Sequence, residues 1–206
     1  MIELIDVSKT YGTRKVALHP TSVRFGRGEL VWLSGRSGSG KSTLLGIASL
    51  LVLETTGTVI VDGQKVARDD TTRNLVRERR FGIVPQAPRL FAELTPVQNV
   101  MLAAPSITRE DAERALGLVG LRQRAARSVK TMSGGEQQRV SIARALAKDP
   151  DVLFADEPTS SLDDANASAI WGILRDAVDS GRAVVVASHD PRIAGHADRR
   201  VAIGGL

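Results

Sequence analysis

Three observations predict an α/β fold: a mostly parallel sheet flanked by helices, with a small antiparallel β region and an inserted α-helical segment. First, a glycine-rich octapeptide, Gly35-Arg36-Ser37-Gly38-Ser39-Gly40-Lys41-Ser42, lies between two apolar segments. The segment before it, Leu30-Val31-Trp32-Leu33, suits a buried strand, and the one after it, from Ser42 and Thr43 to Ala48, is apolar at helical spacing. Second, Val152-Leu153-Phe154-Ala155 and Ala183-Val184-Val185-Val186-Ala187 are continuous apolar runs, the pattern of parallel strands covered on both faces. Third, residues 87–149 change character to helical segments rich in helix-favouring side chains.

In chain order, residues 2–7 alternate well enough for an edge strand, with Tyr11-Gly12 in the loop that follows. Residues 22–25 read as a second strand, turning through Gly26-Arg27-Gly28 into the strand at Leu30. Thr58-Val59-Ile60-Val61 is a strand closed by Asp62-Gly63, and Phe81-Gly82-Ile83-Val84 is another, closed by Pro85 and Gln86. Thr108 before Glu110 and Asp111 marks a helix start, and Gly120 its end. Ser133-x-x-Glu136 is a capping-box pattern opening a second helix, which Pro150 is expected to end. The crossover helix runs from about residue 164 to 180, with Gly181 at its end, and Val201-Ala202-Ile203 is a last short strand.

Composition is that of a soluble globular protein: 206 residues, 42% hydrophobic and 25% charged. There are no cysteines and three scattered histidines, so neither disulfides nor a zinc site is expected. The longest nearly apolar run, residues 44–53, is interrupted by Gly46 and Ser49 and is too short to span a bilayer. With no secretory signal visible, a cytoplasmic protein is expected. Net charge is +5, and 22 of the 28 basic residues are arginine. The densest cluster, Arg73, Arg77, Arg79 and Arg80, reads as a solvated face. No basic tail or interleaved aromatics point to nucleic acid, so no nucleic-acid partner is expected.

The octapeptide fits G-x-x-x-x-G-K-[ST] in the strand–loop–helix context that makes it a phosphate cradle. Its glycines let successive N–H groups point into one hollow, and the following helix adds the positive end of its dipole. Lys41 supplies a point charge for β- and γ-phosphates, and the Ser42 hydroxyl is placed to ligate Mg²⁺. Other strands end in equally loaded residues, and ligands in open parallel sheets bind beyond such carboxyl ends. Asp156 has the form of the acid that holds Mg²⁺ opposite Ser42. Glu157 suits the base or orienting group for an attacking water, with Pro158 stiffening its turn. His189 would hydrogen-bond the γ-phosphate and position that water. The Gln86 amide can touch both the metal shell and the water, and Tyr11 offers a face for adenine stacking. Met132-Ser133-Gly134-Gly135-Glu136-Gln137-Gln138-Arg139 is a second anion-binding constellation at a helix start. If the two constellations cannot meet within one chain, two chains must pair head to tail.

Together these residues resemble the ATP-binding cassette (ABC) ATPases across essentially the whole chain. In that resemblance Gly35 to Ser42 is the Walker A loop, Gln86 the Q-loop, Met132 to Glu136 the signature, and Val152 to Asp156 Walker B. Ser161-Leu162-Asp163 looks like the D-loop and His189 like the switch histidine. The signature reads MSGGE where the family's commonest form is LSGGQ. Glu136 with Gln137-Gln138-Arg139, Thr55-Thr56-Gly57-Thr58 and residues 94–100 are similar to the branch of the MacB, LolD and FtsE ATPases and HrtA-type haem exporters. The resemblance implies one nucleotide-binding domain over residues 1–206. Residues 1–86 and 150–206 would form the RecA-like and antiparallel β core, and 87–149 the helical subdomain. It further implies an ATPase with ATP and Mg²⁺ as cofactors, working as a head-to-tail dimer in which Ser133, Gly134, Gly135 and Glu136 face the partner's ATP.

Branch members work beside a separate membrane permease. The expected docking groove lies around Leu90, Phe91 and Leu94, placing the chain peripherally on the inner face of the cell membrane. The expected function is powering export or extraction of an apolar substrate such as a lipoprotein, peptide, drug or haem. The alternatives are FtsE-like signalling to cell-wall enzymes and a soluble ABC ATPase acting on DNA or ribosomes. The C-terminal helix carried by many members is expected to be absent.

Overall fold

A computed structural model describes residues 1–12 and 15–204. Its elements are β1 (Ile2–Tyr11), β2 (Lys15–Phe25), β3 (Leu30–Ser34), α1 (Lys41–Ala48), β4 (Thr56–Val61), β5 (Gln64–Lys65), α2 (Asp70–Arg80), β6 (Phe81–Val84), α3 (Pro96–Met101), α4 (Arg109–Leu118), α5 (Gly134–Leu146), β7 (Val152–Asp156), α6 (Asp164–Asp179), β8 (Ala183–Ala187) and β9 (Arg199–Ala202). Short 3-10 turns punctuate the helical region and the stretch after β8.

The strands form two sheets. One is antiparallel with order β2-β1-β4-β5, and the other has order β6-β7-β8-β3-β9, with every described pairing parallel. Alternate residues of the parallel strands feed two cores. Val184 and Val186 of β8, with Leu153 and Ala155 of β7, face Trp171 and Leu174 of α6 and the helical region. Val185 and Ala187, with Val152 and Phe154, face Leu44 and Ile47 of α1 and the antiparallel sheet. This double coverage is why these strands read as unbroken apolar runs.

Helix starts follow their caps. Thr95 with Gln98, Thr108 with Asp111, and Ser133 with Glu136 each form a complete capping box for α3, α4 and α5. Asp163 caps α6 by accepting from the Asn166 N–H, and Gly181 follows that helix with φ +91°.

Several sequence expectations change. β1 is not an edge: it pairs with β2 on one side and β4 on the other. Its alternation breaks at Asp6, where φ is +47° and a bulge puts Val7 rather than Asp6 into the core. Tyr11 is the last residue of β1, not part of a loop. α5 stops at Leu146, before Pro150 acts, and Asp149 takes a left-handed φ of +51°.

Of the arginine cluster only Arg79 is a solvated side chain; Arg73, Arg77 and Arg80 are engaged. The cluster belongs to α2, which no apolar periodicity announced. Arg73 is buried against Glu54 at 3.2 Å, and Arg80 bonds Asp62 and, at 2.5 Å, Asp151. Further donors close the free carbonyls between α1 and β4: Arg77 on Leu50, Arg73 on Val52, Lys9 on Leu53 and Arg68 on Glu54.

Candidate functional site

β3 runs out at Ser34 and the chain loops to α1 at Lys41. The loop closes through Gly40, whose φ is +100° and whose missing side chain leaves room for the Ala17 carbonyl; a Cβ would lie 2.6 Å from that oxygen. Lys41 is largely buried, and its ammonium donates back to the carbonyls of Gly35 at 2.8 Å and Arg36 at 3.1 Å. That ammonium pins the loop open around a cavity of about 750 Å³, which Arg36, Ser37, Gly38, Ser39 and Thr43 also line. Tyr11 lines the cavity too, with the Lys9 ammonium 4.9 Å from its ring centroid.

Sheet order decides what stands around the loop. β6, β7, β8 and β3 are consecutive neighbours, so Gln86, Asp156, Glu157 and His189 emerge at the same edge as the loop. Asp156 accepts from the Ser42 hydroxyl at 3.0 Å. Burial raises the pKa of this carboxyl, reinforced by Glu157 and opposed by the Ser42 bond and the Lys41 charge. The adjacent Ser42 hydroxyl and Asp156 carboxylate are hard oxygen donors and fit a Mg²⁺ ion. The Gln86 amide reaches Ser160 Oγ at 3.5 Å.

Glu157 has φ +45°, a strained value for a residue with a side chain, and its N–H donates to the Ala187 carbonyl at 2.8 Å. Its carboxylate is held at both oxygens: Oε1 lies 2.8 Å from His189 Nδ1, and Oε2 accepts from Ser188 Oγ at 3.1 Å. The sequence did not single out Ser188, which stands behind Glu157, nor Val16 and Ala17, which line the cavity. The position of Ser188 directly before His189 was the available signal.

The second constellation stands apart. None of Ser133, Gly134, Gly135 and Glu136, and none of Ser161, Leu162 and Asp163, lines the cavity. Ser133 and Glu136 cap each other, and Glu136 also pairs with Arg124 at 2.5 Å. Gly135 packs so closely on α6 that a Cβ would sit 2.4 Å from Asn166 Oδ1, while Asp163 accepts from the Asn166 N–H at 2.8 Å. α5 and the loop to Gln86 meet where the Gln138 amide reaches the Pro85 carbonyl at 3.5 Å. Of the expected docking residues, Leu90 packs onto the core, Leu94 is half-buried, and Phe91 is exposed over a separate groove of about 510 Å³ with Leu102, Arg77, Arg144 and Lys148.

The family described as ABC transporter matches residues 18–160. This chain is an ABC transporter ATPase. The cassette hydrolyses ATP to ADP and phosphate, with Mg²⁺ as the metal. It is 39% identical to the lipoprotein-releasing system ATP-binding protein LolD of Anaplasma marginale, over 100% of this chain and 96% of that protein. It is 43% identical to the macrolide export ATP-binding/permease protein MacB of Chlorobaculum tepidum, over 97% of this chain but only 32% of the longer relative. The glutamine transport ATP-binding protein GlnQ of Escherichia coli matches at 40% over 92% of the chain and 81% of its own length. Among solved structures, the dimeric post-hydrolysis state of the cassette MJ0796 bound to ADP and Pi superposes with a TM-score of 0.88 at 33% identity, covering 98% of this chain and 94% of that one.

Proposed function

We propose that this cassette is the ATP-hydrolysing subunit of a LolD/MacB-like exporter, powering a separate membrane permease that moves an apolar substrate. The carrying observation is the shared edge of four adjacent strands, which sets the phosphate loop, Gln86, Glu157 and His189 around one cavity and Asp156 against the loop's Ser42. The whole-length match to LolD supports the branch. Among the described residues no helix is long and apolar enough to cross a membrane, which suits a subunit held peripherally on the inner face of the cell membrane by its permease.

In this reading the loop N–H groups from Gly35 to Thr43 and the Lys41 ammonium hold the β- and γ-phosphates, releasing Lys41 from its own carbonyls. Ser42 and Asp156, with Gln86, would hold Mg²⁺, which would supply positive charge to offset that of the phosphates. Glu157 orients the attacking water and draws its proton, and His189 steadies the γ-phosphate and that carboxylate. Tyr11 stacks on adenine. A second copy, facing head to tail, brings Ser133, Gly134, Gly135 and Glu136 over the phosphates, with Ser161, Leu162 and Asp163 beside the shared interface. The permease's cytoplasmic helix docks on the groove at Phe91, whose Arg77, Arg144 and Lys148 have no ion-pair partner among the described residues.

Affinity purification of the cassette from solubilised membranes tests this. A stoichiometric integral-membrane partner that is lost with Phe91→Asp is the expected result. A cassette that leaves the membrane fraction and binds DNA or ribosomes in a salt-sensitive manner overturns it.

A further inference from the structure

Ser188 joins β8 to His189 and is 0% exposed, yet every polar group it owns is committed. Its carbonyl accepts from the Trp32 indole N–H at 2.8 Å and its N–H donates to the Leu33 carbonyl at 3.3 Å, tying it to β3. Its hydroxyl oxygen accepts from the Asp190 N–H at 3.0 Å. An amide can only donate, so the hydroxyl hydrogen is left to point at Glu157 Oε2, 3.1 Å away.

We infer that Ser188 is a positioning residue for hydrolysis: a fixed hydroxyl that sets the rotation of the Glu157 carboxylate. The inference rests on the reading of Glu157 as the group that orients water. Glu157 needs such a guide because its left-handed backbone leaves the carboxylate on a short, strained turn. The same two loops are stitched further out by Thr159 Oγ1 donating to Asp190 Oδ2 at 2.8 Å, which keeps the Asp190 N–H in place beneath Ser188. The chain of contacts runs from Thr159 through Asp190 and Ser188 to Glu157, and none of the first three lines the nucleotide cavity. Removing the hydroxyl therefore changes turnover and not nucleotide affinity.

The test is steady-state ATPase kinetics with ATP binding by calorimetry on Ser188→Ala, Ser188→Thr, Ser188→Val and Glu157→Gln. Ser188→Ala should lower kcat about tenfold, the value of one lost positioning hydrogen bond, with KM and Kd held within about twofold. Thr and Val share one shape, so the pair isolates the hydroxyl: Thr should exceed Val in kcat at equal Kd. In a Glu157→Gln background, Ser188→Ala should add nothing, because the two act through one group. Equal kcat for Thr and Val, or a wild-type rate for Ser188→Ala beside an inert Glu157→Gln, overturns the inference alone. Near-normal turnover of Glu157→Gln removes the role assigned to Glu157, and the inference with it.

Discussion

At the scale of single residues, Lys41 and Asp190 show how much of the site is electrostatic preparation. Lys41 spends its charge on two loop carbonyls, so its ammonium is already desolvated and aimed before any phosphate arrives. Lys41→Ala should abolish nucleotide binding itself, visible as loss of calorimetric heat at ATP concentrations that saturate the parent. Asp190 is a different preparation. Burial would raise its pKa, but bonds from Arg192 and from the Thr159 hydroxyl outweigh burial and hold it at about 2, against an ordinary 3.8. A depressed carboxyl stabilises the fold above its unfolded value and loses that contribution as pH falls through its folded one. Asp190→Asn should therefore cost about 1–2 kcal/mol at neutral pH, and the difference from the parent should vanish as pH falls from about 4 to 2. Urea unfolding across that range measures it. Lys41 and Ser42 were legible as candidates from the glycine-rich motif, and Gln86, Asp156, Glu157 and His189 because a charged or amide residue at or within two positions of an apolar strand's end is a local pattern. Ser188 offered only its place beside His189, since its role depends on a neighbour 31 positions away.

At the scale of elements, legibility followed the hydrophobic pattern and failed where charge does the holding. β3, β6, β7 and β8 were readable as apolar runs and appear with those residues. α4 and α5 were readable from Thr108 and Ser133, whose caps form as complete boxes. α2 was invisible because its sequence, DTTRNLVRERR, buries only Arg73, while Leu75 stays exposed. What anchors α2 is a set of guanidinium bonds to the segment between α1 and β4, a non-local arrangement with no period. Arg73 and Glu54 are each 3% exposed, so Arg73→Met leaves the buried carboxylate with only the half-exposed Arg68 at 3.7 Å and should cost about 3 kcal/mol. Adding Glu54→Leu should restore most of that loss, and thermal unfolding of the single and double variants decides it. β1 was mistaken for an edge because an alternating pattern reports one covered face and says nothing of its hydrogen-bond neighbours.

At the scale of the whole molecule, one chain assembles one phosphate cradle and carries one signature helix start that does not line it. In the proposed reading, hydrolysis and association are thereby linked. Glu157→Gln should still bind ATP, should turn it over at least about a hundredfold more slowly, and should accumulate as an ATP-dependent dimer. Light scattering with and without ATP, beside phosphate release, measures both; a variant that stays monomeric with ATP bound separates catalysis from association.

The position of β3 within its sheet has a further consequence, for synthesis. Its partners on both sides are β8 and β9, so Leu30 waits for Val184, and Val31 for Val185 on one side and Arg199 on the other. A ribosome delivers the phosphate loop well before the strands that support it. The helices of residues 96–146 close mostly on one another and can condense while the chain is still being made. The nucleotide site therefore matures only once β8 and β9 have been made, and until then β3 presents two bare edges to whatever chaperone or neighbour reaches it first.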